Sequence, residues 1–524
     1  MKKKHAEIIQ VAKFVCDSLQ AEFTRLRDHG ISRMAVRSSA IKDLQKQRLS
    51  AERLAERTTS FKACIRWLKT GSSYVECAKQ VRGSLLGKLY LKTAIVDECV
   101  KRLEEVTLEF EKLKSFRPVV YKRQSLHGAL LQVYNTPEVV VDETRRPTVN
   151  VLVPAFDFAS MSAGFFGVFQ VALFIKSCGL HVRLVMYDRF NFDEAYIRKN
   201  LKNYPGMENL LDELEVAYIG DRVAPLRISP KDSCVATVWY SAYLARKIME
   251  TRGGGKFLYL IQDYESVFSA ANSQFALADA TYGFDCAMLF SSKALQDFFL
   301  TYRIGLFMER TTEYIYFNNA CSSVLPPEET FVGRRGPNVR RRLAFYCRPP
   351  VPRNMFELGA LALCEAYAQG VFEEGAWEFI GIGLGEAVIE LAPGVMLNQM
   401  ERMNLTEYCE VISTFDVGFC LMASSHPSLL PFDLSGSGAV VVTNSFGVKN
   451  QAYFDTLTKG VIVSKPDLPA LVDGLRKAVA QSSDLTTRYA NAKAMTFPRS
   501  WDETFGQEHR EWIRQVFATT MSSS

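Results

Sequence analysis

The amino-acid sequence predicts an α/β protein of two Rossmann-like domains facing a cleft, preceded by an α-helical extension. Three observations predict it. A chain of 524 residues, 48% hydrophobic and 23% charged, is ordinary globular material and longer than one core supports, so two or three domains are expected. Short continuous apolar runs alternate with helical stretches in two successive series, the pattern of buried parallel strands between helices. The first 115 residues lack that pattern and are rich in helix formers.

In the extension, residues 1–117, the apolar series from Leu91 through Ile95, Cys99, Leu103, Val106, Phe110 and Leu113 steps by four or three between charged residues. That spacing describes one amphipathic helix seeking a partner, with two or three more before it, so a coiled coil or small bundle is expected. Positive charge gathers here. Residues 1–146 hold 29 Lys and Arg against 17 Asp and Glu, about +12, and the remainder 34 against 40, about −6. Such a segment suits an anionic bilayer surface, nucleic acid, an acidic partner or simply a solvated helical face. Self-association or docking to a membrane-bound partner is expected, and nucleic acid is disfavoured because no aromatic-interleaved basic motif accompanies the charge. Residues 118–147, broken by Thr136-Pro137 and by Arg145-Arg146-Pro147, read as a linker.

The first α/β domain is expected over residues 148–330. Val149-Asn-Val-Leu-Val153 is an apolar run bounded by prolines. Ser162-Ala-Gly-Phe-Phe-Gly167 opens an apolar helix to Ser177, and residues 179–186 supply the next strand. Further strands are expected at 233–239, 256–261 and 287–290. The second domain, residues 340–498, repeats the alternation with strands at 342–346, 378–381, 417–421, 439–443 and 460–463. Residues 499–524 form a C-terminal crossover helix and tail.

Several chemistries are disfavoured. No run approaches eighteen apolar residues, and Met-Lys-Lys-Lys-His leads into Ala-Glu-Ile-Ile-Gln rather than a signal-like core, so a chain neither exported nor membrane-spanning is expected. Twelve scattered cysteines without a C-x-x-C pair, and only six histidines, read as small buried hydrophobes in a reducing compartment and argue against zinc.

Four stretches carry candidate chemistry. Gly164 and Gly167 follow a strand and open a helix, where backbone can approach a ligand, although tight strand–helix packing needs the same spacing. Asp263 and Glu265, just past the strand 256–261, fall where ligands of open α/β sheets bind. They could orient hydroxyls or act as a general base, or else cap the following helix. Arg348 and Arg353 flank a turn stiffened by Pro349, Pro350 and Pro352, so rigidly placed guanidinium forks match diphosphate oxygens. The segment from Ser424 through His426, Ser428, Asp433 and Gly438 to Asn444, with Lys449 after it, sets a polar loop before a helix N-terminus and a buried strand. The helix amides there can hold phosphate or sugar oxygens.

Together these residues resemble the retaining-type family 4 glycosyltransferases of GT-B fold, and most closely the bacterial rhamnosyltransferase-like branch. The resemblance spans residues 148–515. It rests on Gln262-Asp-Tyr-Glu265 with Thr281-Tyr282, Phe345-Tyr-Cys-Arg-Pro349 with Arg353 and Phe356-Glu-Leu-Gly359, His426-Pro-Ser428 through Asp433 and Gly438, and Ser500-Trp501. It implies a nucleotide-sugar donor in the C-terminal domain, with Arg348 and Arg353 on the diphosphate and His426, Ser428, Asp433, Asn444 and Lys449 around the donor. It implies an acceptor in the N-terminal domain, near Gly164, Gly167, Asp263 and Glu265. The family's E-x7-E motif places its second glutamate on Asp433 and its first on Ser425, which carries no carboxylate.

The resemblance further implies a metal-independent enzyme with no cofactor beyond its nucleotide-sugar co-substrate. Such an enzyme would transfer a sugar, rhamnose by its branch, to a glycan or lipid-linked glycan hydroxyl of a growing bacterial surface polysaccharide. It would work in the cytoplasm or at the inner face of the membrane. The other reading is a non-catalytic GT-B-like protein that binds glycan or organises an assembly.

Overall fold

The computed structural model describes residues 136–522 except 156–162, 189, 191, 203, 205, 311, 334–338, 384–386 and 402. The helical extension expected over residues 1–117, its coiled coil included, and the first part of the linker lie outside the described residues.

The remainder of the linker is not featureless. Strand β1 (Val139–Val141) pairs in parallel with β5 (Leu226–Ile228) as a two-stranded sheet, and Lys247 Nζ donates to Pro137 O at 2.8 Å. Residues 139–141 are partly buried valines, and their burial on the first domain outweighs the breakers on either side.

The first domain's sheet contains β2 (Val149–Val153), β3 (Val182–Met186), β4 (Glu215–Tyr218), β6 (Ser233–Ala236), β7 (Phe257–Ile261), β8 (Cys286–Phe290) and β9 (Tyr314–Tyr316). Its order is β4-β3-β2-β6-β7-β8-β9, with every pairing parallel. This is the doubly wound order, which reverses direction between β2 and β6. All five residues of β2 are buried, as a strand covered by helices on both faces requires. Its one polar side chain is fully used: Asn150 Oδ1 accepts from Arg183 Nε at 2.8 Å, and its Nδ2 donates to Asp232 Oδ2 at 3.0 Å.

The second domain's sheet contains β10 (Arg341–Tyr346), β11 (Trp377–Ile382), β12 (Val388–Ala392), β13 (Val395–Gln399), β14 (Val417–Cys420), β15 (Val440–Asn444) and β16 (Val461–Ser464). Its order is β12-β13-β11-β10-β14-β15-β16, parallel except for the β12–β13 hairpin at one edge. It reverses direction between β10 and β14. The turn from the helix Leu430–Gly436 into β15 passes through Gly438, where φ is +92° and an added Cβ would stand 2.4 Å from the Phe331 ring, so a side chain has no room.

The chain crosses between the domains twice, and the crossings touch: Cys321 N donates to Pro498 O at 2.9 Å, and Arg499 Nη1 to Ser323 Oγ at 2.8 Å. After the second crossing, the helix Gln507–Ser522 buries Ile513, Val516 and Phe517 in the first domain's core, and Phe505 stacks on Phe174 at 4.2 Å. Among the described residues, no helix is long and apolar enough to cross a membrane.

Candidate active site

Both sheets present their switch points to one cavity of about 260 Å³. Val153 and Pro154 past β2, Thr237 and Val238 past β6, and Gln262 and Asp263 past β7 line it from the first domain. Tyr346 and Arg348 past β10, with Met422, His426 and Ser428 past β14, line it from the second. Ligands of open α/β sheets bind outside the carboxyl ends of strands at such reversals.

The acidic pair sits on the first-domain wall. Asp263 is buried, accepts from the Tyr264 amide at 2.9 Å and from Ser424 Oγ across the cleft, and lies 3.9 Å from Arg353 Nε. Burial pushes its carboxyl above the usual range, against the hydrogen bond from Ser424 and the charge of Arg353. Glu265 accepts from the Trp239 amide at the start of the helix Trp239–Thr251. Burial pushes it up to about 8, with the Asp263 charge adding to the effect and the Trp239 hydrogen bond opposing it. Near neutral pH Glu265 is therefore protonated. It can donate a hydrogen bond or a proton.

The basic pair faces it. Arg348 Nη1 donates to Tyr346 Oη at 3.0 Å, and the Arg353 guanidinium lies 4.2 Å from the centre of the Phe268 ring. Both Nε atoms are buried, and neither donates to an acceptor among the described residues. The loop is fixed by Asn354, whose Nδ2 donates to Leu421 O at 3.2 Å, and by Met355 at φ +47°. His426 accepts from the Ser428 amide through Nδ1 at 3.0 Å, and burial, helped by the charges of Lys449 and Arg353, pushes it down to about 3. The neutral ring thus carries its proton on Nε2. Ser428, on the cavity rim, takes φ +65°, a left-handed conformation rare for a serine.

Four expected site residues lie away from the cavity lining. Asp433 points into the second domain, where its carboxylate accepts from Ser322 N at 2.6 Å and Tyr408 Oη at 2.7 Å. Burial pushes it up to about 6, and it braces the interdomain crossing instead of meeting a donor. Asn444 is fully buried and bonds Met422 in both directions, joining the loop after β14 to β15. Lys449 is also fully buried, donates to Met422 O at 2.8 Å and is pushed down to about 7 by burial. Gly167 serves packing: a Cβ there would stand 2.8 Å from Asn319 Oδ1. Gly164, Asp263, Glu265, Arg348, Arg353, His426 and Ser428 do line the cavity.

Sequence reasoning missed Asn319, Ser291 and Phe268 on the cavity wall and Ser424 as the partner of Asp263. Nothing in their local spacing sets them apart, because tertiary approach alone brings them in. Among the described residues, no group of three or more His, Cys, Asp or Glu is arranged to hold a metal ion.

Comparison with known proteins adds an independent line. The chain is similar to the O-antigen biosynthesis protein RfbC of Myxococcus xanthus, 29% identical over 374 residues that make up 68% of this chain and 26% of that protein. It thus spans about a quarter of the length of this curated relative. Among solved structures, Anabaena HepE in complex with UDP-glucose matches 72% of this chain and 100% of its own, at 13% identity and TM-score 0.46. TarM of S. aureus matches the same shares at 8% identity and TM-score 0.49. The WsaF N-terminal domain matches residues 148–291 and the WsaF C-terminal domain residues 341–476. With both domains of one family matched in order over more than half its length, the chain belongs to the WsaF family.

Proposed function

We propose that this chain is a glycosyltransferase that moves a sugar from a nucleotide-sugar donor to a hydroxyl of a growing bacterial polysaccharide. The carrying observation is the pair Arg348 and Arg353, whose buried Nε atoms make no hydrogen bond to the described residues, in a cavity that also holds Asp263 and Glu265. Guanidinium groups so placed can take a diphosphate and stabilise the charge that develops as it leaves. The WsaF family and the O-antigen relative support the same reading.

In this mechanism Arg353 exchanges its contact with Asp263 for the donor diphosphate, which frees Asp263 to orient the acceptor hydroxyl. Protonated Glu265 and His426 Nε2–H supply hydrogen bonds to the sugar or its leaving oxygen. Closure of the two domains excludes water and limits donor hydrolysis. Rhamnose is the transferred sugar we favour, on the resemblance of the His426-Pro-Ser428 and Arg348 motifs. The protein works at the inner face of the membrane on a lipid-linked glycan, with the basic N-terminal segment as its docking or self-association element. Guanidinium charge stands in for a metal, so neither metal nor further cofactor is invoked, and turnover is expected to survive EDTA.

Ligand-induced stabilisation tests the core of this reading. Millimolar UDP or dTDP should raise Tm of the wild-type protein, and Arg348→Ala with Arg353→Ala should weaken the binding at least tenfold, the loss of one or two charge-assisted hydrogen bonds. Undiminished binding and turnover in the double variant would refute it. A second reading, a glycan-binding protein without turnover, has one observation in its favour. Ser425, at the position of the motif's first glutamate, is buried with its Oγ unbonded among the described residues. Nucleotide binding without release of nucleoside diphosphate from any sugar nucleotide would favour it.

A further inference from the structure

One buried acceptor in the cavity has no task in the proposed mechanism. Asn319 lies just past β9, where the chain leaves the first domain, and it lines the cavity at 4% exposure. Its Oδ1 accepts no hydrogen bond from the described residues. A buried carbonyl without a donor is destabilising, and such groups are rare in folded proteins unless water or a ligand completes them. The surroundings keep this oxygen where it is. A Cβ on residue 167 would stand 2.8 Å from Asn319 Oδ1 and 3.7 Å from Gln262 Oε1, so the glycine leaves the space the carboxamide occupies. Ser291, also on the wall and 2% exposed, turns its own hydroxyl to Gln262 O at 3.3 Å and does not satisfy the amide.

We propose that Asn319 is a specificity-determining residue whose Oδ1 accepts a hydrogen bond from a hydroxyl of the transferred sugar while that sugar is still joined to the diphosphate held by Arg348 and Arg353. This rests on the glycosyltransferase reading. Asn319 and the two arginines line one cavity from opposite domains, so a group tethered by its phosphates to the second domain presents its far hydroxyls to the first. A site built to bond a hydroxyl rejects the analogue that lacks it, because the buried polar atom is then left unpaired.

Calorimetric titration of the full-length protein with UDP, UDP-glucose, dTDP and dTDP-rhamnose tests the proposal. Asn319→Ala should bind the free nucleotides as the wild type does and lose roughly tenfold in affinity for whichever nucleotide sugar the wild type prefers. Gly167→Ala, which displaces the carboxamide without altering it, should lose sugar-dependent affinity in the same direction. Deoxy analogues of the preferred donor complete the test: one of them should bind wild type and Asn319→Ala equally. Equal loss for nucleotide and nucleotide sugar, or no change in either, overturns the role of Asn319 and leaves the glycosyltransferase reading standing. The second of these outcomes is the one expected if water alone completes Oδ1. A wild-type protein that binds none of the four probes overturns both.

Discussion

At the scale of single residues, burial raises the pKa of both acids of the site, Asp263 and Glu265. A glutamate in the unfolded chain ionises near 4.5, whereas Glu265 in the fold keeps its proton up to about pH 8. The folded state therefore binds the extra proton between those values, and this contribution to stability is lost as pH rises through the window. Glu265→Gln removes the dependence, so the variant's Tm should gain on the wild type's steadily from about pH 5 to about pH 8; parallel curves would show that Glu265 ionises normally. Asp263 is bonded by Ser424 and faces Arg353, both from the other domain, so it ties the two walls of the cavity together. Arg348 and Arg353 were legible in the sequence because prolines after a strand fix a loop whatever packs around it. Asp433 was misplaced because motif spacing does not say which face of the helix Leu430–Gly436 meets the cavity, and here the carboxylate turns toward Tyr408. Asn319 gave no signal, since an asparagine in a connection owes its burial to packing between distant segments.

At the scale of elements, the legible strands were those with short, largely apolar runs: β2, β3, β6, β7, β8, β10, β11, β14, β15 and β16. The missed ones pack weakly or lie at an edge. β4 is partly buried throughout, β9 begins with an exposed tyrosine, and β12 exposes Val388 and Glu390. The hairpin β12–β13 did carry a local signal in Pro393-Gly394, where Gly394 takes φ +78° as a type II turn requires. Among the helices, Leu485–Lys493 is fastened by a buried ion pair: Arg488 Nη1 donates to Asp416 Oδ1 at 2.8 Å and its Nε to Gly438 O at 2.7 Å. Asp416→Ala strands that guanidinium and should cost about 3–5 kcal/mol in urea unfolding of the second domain. In the first domain, Phe517→Ala should cost about 3–5 kcal/mol, because the returning helix fills its core. A loss under about 1 kcal/mol would mean that helix is only loosely applied.

At the scale of the whole molecule, the described residues that line the cavity all lie between Val153 and Leu429. Removing residues 1–115 should leave UDP or dTDP affinity unchanged and alter oligomeric mass or recovery with membranes; loss of nucleotide affinity would contradict that division of labour. The two interdomain crossings, bonded side by side through Cys321 and Pro498, carry a mechanical consequence. A single tether permits swivelling in any direction, but two tethers at one spot act like paired pins of a door. They leave one easy swing and resist twist. The arginines then approach the opposing carboxylates along a repeatable arc.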